Sequence, residues 1–303
     1  MTYKVLYHMM PWEIDYALLT FTQLKKSKYY LDNEDSIIIS PCLNLSSYII
    51  NWEESKIPKE FFINKLSQIS SLLVDYKYEP TIYDGDELYG HLDFQRNAIS
   101  PEIDHYINIC PDMYFSEHLL SLLIESSKQI KNKYFVITPE IYKLWDQSWD
   151  EITSQKYLNV PYNEWNKVDI FDIRADLKTD NDVSLSSTQN SKWAGWFDLY
   201  NKEMWEQLCR VHDDWKGYGP HDWYSLLITE QVKSQGVDFQ QYVLKGQTIF
   251  EYSVGPLQNG GFSKYYKDLL YLNDIPNQRQ KFESKMGEYL QKGIKQLKEK
   301  NIL

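Results

Sequence analysis

An α/β fold, a mixed and mostly parallel sheet flanked by helices, is what this 303-residue sequence predicts. Two observations carry it. Short apolar runs such as SIIIS at 36–40, YINIC at 106–110 and YFVIT at 134–138 suit strands buried on both faces. Between them lie longer stretches with apolar residues three and four apart, the mark of helices with one buried face. Strands alternating with helices imply crossover connections and parallel neighbours.

The elements follow in order. Lys4 to His8 reads as a strand stopped by Met10-Pro11, and Tyr16 to Tyr30 as a helix with Ala17, Leu18, Phe21 and Leu24 on one face. The run at 36–40 is expected to end at Pro41, which has no N–H to give a ladder. Phe62, Leu66, Ile69 and Leu73 make a helix of Lys59 to Asp75; Glu79 to Tyr83 and Tyr106 to Cys110 are strands. Ser116 to Lys128 reads as a helix, and the Asp-, Ser- and Thr-rich stretch 172–190 as a mobile loop. Asp222 to Ser234 is a helix and Phe239 to Leu244 a strand. From Arg279 onward Phe282, Met286, Tyr289, Leu290, Ile294 and Leu297 form one apolar stripe, suited to packing on its own domain or to a membrane surface or partner. The expected division is a domain at 1–250 and a C-terminal extension at 251–303 that ends in this amphipathic helix.

Composition narrows the function. With 32 basic against 43 acidic residues, a net charge of −11, the chain repels phosphate backbones, and no basic run interleaved with aromatics overrides that. Cys42, Cys110 and Cys209 form no CxxC and read as reduced thiols. No apolar stretch is long enough to span a bilayer and no signal-peptide layout opens the chain, so a cytoplasmic protein is expected, with peripheral membrane contact left open. The aromatic share of 16% suits stacking on sugars or bases, or simply a tyrosine-rich core.

The stretch from Lys192 to Leu227 holds the most direct hint of chemistry. A Gly217-Tyr218-Gly219-Pro220 turn sets His221 and Asp222 at the mouth of a helix, beside several tryptophans. Taken in order, VLYHMMPWEID, GHLDFQRNAISPEIDHYINICPDMYF, WAGWFDLY and GYGPHDW resemble successive segments of the GT-A nucleotide-sugar glycosyltransferases, family 2-like, over residues 3 to 245. The resemblance implies transfer of a sugar from a nucleotide-sugar donor to a hydroxyl-bearing glycan-type acceptor. It implies donor contacts from Pro11, Asp84, Asp86, Arg96 and Asp112, with Asp112 also binding Mn²⁺ or Mg²⁺. Acceptor contacts would fall to Trp193, Trp196 and His221, and the general base to Asp222. The chain departs from that pattern: one carboxylate, Asp112, stands where the family has Asp-x-Asp, a literal Asp-x-Asp at Asp84–Asp86 lies ahead of Arg96 rather than after it, His221-Asp222 replaces an acidic pair, and no histidine follows His221 for the metal-ligand position some members have.

Each residue type suits its role. A departing nucleoside diphosphate gathers negative charge, which a hard divalent cation held by carboxylate oxygens offsets. Asp112 follows a buried strand, where ligands of open α/β sheets gather, although a helix cap or a turn would explain it too. Asp84 and Asp86 flank Gly85 and read equally as donor contacts or a solvated turn. Arg96 offers a fork for phosphate or a structural ion pair. Asp222 is suited to take the acceptor proton or to cap a helix, and the tryptophans are either sugar walls or core. Two rivals stand beside the transferase: a glycoside hydrolase pairing Asp213 with Asp222, and a non-catalytic glycan-binding or scaffold protein on the same fold.

Overall fold

The computed structural model describes residues 1–10, 14–46, 59–86, 90–111, 113–142, 183–188, 197–210, 221–251 and 275–303. Among these, ten strands form one sheet: β1 (Thr2–Met9), β2 (Ser36–Asn44), β3 (Lys77–Tyr78), β4 (Thr81–Tyr83), β5 (His105–Ile109), β6 (Met113–Tyr114), β7 (Tyr134–Tyr142), β8 (Ser184–Thr188), β9 (Phe197–Asn201) and β10 (Phe239–Glu251). Their order is β3-β2-β1-β5-β9-β7-β10-β6, with β4 also on β2 and β8 also on β10. Only β6, β8 and β9 run against the rest. The mixed, mostly parallel architecture is the one expected.

Helices cover both faces. On one, α1 (Ile14–Ser27), α2 (Lys59–Leu72) and α4 (Leu119–Ser127) bury Phe21, Leu24, Phe62, Leu66, Leu119 and Leu123 against Val5, Tyr7, Ile39, Ile107 and Leu199. On the other, a π-helix (Met204–Cys209), α5 (His221–Ser234) and α6 (Ile275–Glu299) pack Trp205, Leu208, Tyr224, Ile228, Met286 and Leu297 over Leu6, Tyr106, Val136 and Tyr200. The apolar stripe of the C-terminal helix therefore meets its own domain. No helix among the described residues is long and apolar enough to cross a membrane.

Both α5 and α6 end in the same way. Gly236 (φ +77°) and Asn301 (φ +55°) take the left-handed conformation just past the helix. The following N–H groups reach back, Val237 to Val232 O at 3.2 Å and Ile302 to Leu297 O at 2.9 Å.

Three expectations need correction. The strand SIIIS does not stop at Pro41 but runs on to Asn44. Ile39 O accepts from Glu79 N–H and Pro41 O from the Thr81 hydroxyl, so Pro41 faces the break between β3 and β4, where Glu79 O accepts from the Ser40 hydroxyl instead of from a backbone N–H at 41. Glu79 to Tyr83 is two strands, interrupted around Glu79-Pro80. The stretch 172–190 is not all loop: Ser184–Thr188 pairs antiparallel with Gln241–Lys245 of β10, and a Ser/Thr strand suits such an outlying position. The rest of that stretch, except Val183, lies outside the described residues.

One helix was not expected from the sequence. α3 (Gly90–Asn97) carries no apolar stripe because it covers a polar part of the sheet. Its Gln95 amide donates to Ser40 O, and its Oε1 lies 3.3 Å from His8 Nδ1.

Candidate functional site at the carboxyl edge of the sheet

Chain order reverses between β1 and β5: β2 lies on one side of β1 and β5 on the other. Such a switch point opens a crevice at the carboxyl ends of the strands, where backbone groups are left without ladder partners. Here β1 ends at Met9, β2 at Asn44, β4 at Tyr83 and β5 at Ile109. Pro11, Asp84, Asp86 and Asp112 each follow one of these ends within three residues. Pro11 and Asp112 themselves lie outside the described residues.

The backbone on either side of Asp112 is held firmly. The Tyr7 hydroxyl donates to Pro111 O at 3.0 Å, and the Thr20 hydroxyl lies 2.9 Å from Pro111 O and 3.1 Å from Met113 O. Both side chains are buried, and both come from elements anchored in the core below. α4 begins at Leu119, too far along for Asp112 to cap it.

The Asp84-Gly85-Asp86 turn wraps around Tyr83. A β-carbon on Gly85 or on Gly90 would collide with the Tyr83 phenol, so both glycines let the loop close over that ring. Asp84 is 74% exposed and faces Lys59 Nζ at 3.9 Å, which fits a solvated turn beside the crevice.

Arg96 is only 7% exposed. Its NH1 donates to Cys209 O and to the Ser225 hydroxyl, each at 3.4 Å, and its guanidinium lies over the Trp205 ring. What the structure describes of this side chain is a tie between α3, the π-helix and α5.

α5 runs back from the carboxyl edge. It ends at Ser234 and turns into Phe239 of β10, which pairs with Tyr134, the first residue of the parallel β7. The helix therefore starts toward the carboxyl edge, and His221 and Asp222 occupy its first turn. The side chains of His221 and Asp222, and the whole of Trp193, Trp196, Asp213 and the Gly217–Pro220 turn, lie outside the described residues.

Two buried polar residues beside this edge were not anticipated. Asn108 of β5 stands opposite Asp198 of β9, 2% and 0% exposed, and the Tyr200 hydroxyl donates to Asp198 at 3.2 Å. The alternation in WFDLY, with Phe197 and Leu199 facing one core and Asp198 and Tyr200 the other face, is the signal that marks this strand.

Among the described residues no three His, Cys, Asp or Glu side chains cluster to hold a metal ion.

No protein-family model matches the sequence, and no curated protein matches it. Similar solved structures include Staphylococcus aureus TarS 1–349 (TM-score 0.47, 10% identity, covering 92% of this chain and 65% of that one). Others are a longer TarS structure (0.45, 9%, 83% and 36%) and TarS 1–349 in complex with UDP-GlcNAc (0.42, 8%, 83% and 59%). The chain thus spans less than two thirds of the length of each. Likeness at this level identifies neither substrate nor chemistry.

Proposed function

We propose that this chain is a nucleotide-sugar-dependent glycosyltransferase of GT-A type, working at the carboxyl edge between β1 and β5. One observation carries the reading. Segments that resemble that family fall in chain topology toward a single edge: the ends of β1 and β5, and the first turn of α5.

In this reading the donor diphosphate lies over the carboxyl ends of β1 and β5, contacted from the segments of Pro11, Asp84–Asp86 and Asp112. The acceptor hydroxyl attacks the anomeric carbon, and the bond from that carbon to the diphosphate breaks with its electron pair leaving on the phosphate. The hydroxyl proton passes to Asp222. His221, Trp193 and Trp196 line the acceptor side. Mn²⁺ or Mg²⁺, held in part by Asp112, would offset charge on the departing diphosphate. Arg96 in this scheme braces α3 against the π-helix and α5 through one guanidinium nitrogen.

Thermal-shift measurements against UDP-, GDP-, CMP- and dTDP-sugars, each with Mn²⁺ and with EDTA, test this directly. Stabilisation by one nucleotide class supports the transferase, and a gain on adding Mn²⁺ supports the ion. Stabilisation by free oligosaccharide alone, with no nucleotide effect, replaces it with a glycan-binding protein or a hydrolase, which a product assay separates.

A further inference from the structure

A second hollow lies away from the sheet edge, between the π-helix, α5 and the last turns of α6, with a volume of about 300 Å³. That is the lower end of the range for small-molecule sites. Its apolar wall is Tyr224 and Leu297, both 2% exposed. Around it stand two carboxylates, Glu206 and Glu299, two cations, Arg210 and Lys300, and two amides, Gln207 and Gln296.

Part of this lining is fixed from beneath. Tyr134, fully buried on β7, donates its hydroxyl to Gln207 Oε1 at 2.8 Å, which leaves the Gln207 NH₂ group free of that bond to act as donor. Tyr106, fully buried on β5, donates to Glu206 Oε1 at 3.3 Å, and Arg210 Nε donates to Asn97 Oδ1 at 3.2 Å. Groups oriented by buried partners bind without first losing rotamer freedom. The segment that carries Glu206 and Gln207 is wound as a π-helix, a form rare in proteins and frequent at functional sites.

We propose that this hollow is a binding site for one uncharged sugar residue, distinct from the donor crevice. The two lining carboxylates and two lining cations sum to no net charge, so neither an anion nor a cation is favoured. Donors and acceptors stand together around an apolar base of Tyr224, Ile228 and Leu297, which suits a pyranose: hydroxyls at its rim that both give and take hydrogen bonds, and C–H groups that lie on apolar side chains. The proposal does not rest on the transferase reading.

Saturation-transfer NMR on the full chain with free glucose, galactose and N-acetylglucosamine tests it, with glycine as a zwitterionic comparison. Transfer to at least one sugar is expected, unchanged by excess UDP and reduced at least several-fold in Gln207→Ala and Gln296→Ala. Should Gln207→Ala unfold through loss of its Tyr134 bond, the exposed Gln296 decides. The proposal is overturned if no sugar receives transfer, if glycine does and the sugars do not, if UDP abolishes the signal, or if the signal survives in every folded variant.

Discussion

The guanidinium of Arg96 lies 5.3 Å from the centre of the Trp205 ring, buried in the layer between the sheet and α5. A desolvated cation over an indole is worth about 2 kcal/mol, and hydrogen bonds to a charged group add about 1.5–3 kcal/mol. Arg96→Met should therefore lower unfolding free energy by about 3.5–5 kcal/mol in urea titration, with Arg96→Lys recovering part of it. If Arg96 instead served the donor diphosphate, the substitution would weaken nucleotide binding and leave the urea midpoint where it was.

Asp222→Asn should reduce turnover by about 100-fold or more while donor affinity stays within a factor of two. Steady-state kinetics beside nucleotide titration measure both quantities. Turnover close to the wild-type value moves the base to another residue.

Gly85→Ala should loosen the turn that follows β4, because the new methyl meets the Tyr83 phenol. The expected result is weaker nucleotide-sugar binding with little change in thermal midpoint. Unaltered binding would place this turn outside the donor site.

His105 gives the fold a pH dependence. Stacked on Tyr3 at 5.0 Å and 7% exposed, its imidazole is pushed down to about 4 by burial, against an unfolded value of about 6.5. The unfolded chain binds the extra proton between those values, so stability is full above pH 6.5 and falls as pH drops toward 4. The loss by pH 5 is about 2 kcal/mol. His105→Phe should flatten that part of the stability profile; an unchanged slope between pH 7 and pH 5 would refute the assignment.

Gly293 lies inside α6, where alanine ordinarily stabilises by about 1 kcal/mol. Here a β-carbon would strike the Tyr224 hydroxyl and approach Ile228 Cδ1 to 3.3 Å, and Tyr224 is too buried to swing aside. Gly293→Ala should cost about 1–2 kcal/mol, and much less in a Tyr224→Phe background. Equal costs in the two backgrounds would sink the explanation.

How far the sequence spoke depended on whether a segment buries apolar side chains. Phe62, Leu66 and Ile69 announce α2 through their spacing, and YFVIT announces β7, because each lies against a core of the same character. α3 was silent: Gln95 and Arg96 bond to Ser40, Cys209 and Ser225, partners remote in sequence that no local period encodes. Pro41 misled because its tolerance depends on a gap in the neighbouring strands. Of the candidate site, the carboxylates could be read in the chain, but which strand ends stand side by side could not, since that follows from strand order. The Tyr83 clasp needs the positions of Gly85 and Gly90 around one ring, which only the fold supplies.

β9 has a consequence for how the molecule is made. It sits between β5 and β7, yet both of those precede it in the chain. As synthesis proceeds from the N-terminus, two strand edges stand open until residue 201 has emerged. A nascent chain stopped before Phe197 thus holds β3-β2-β1-β5 with an open edge and β7 without either of its sheet neighbours, and Phe197–Asn201 is the wedge that first joins them.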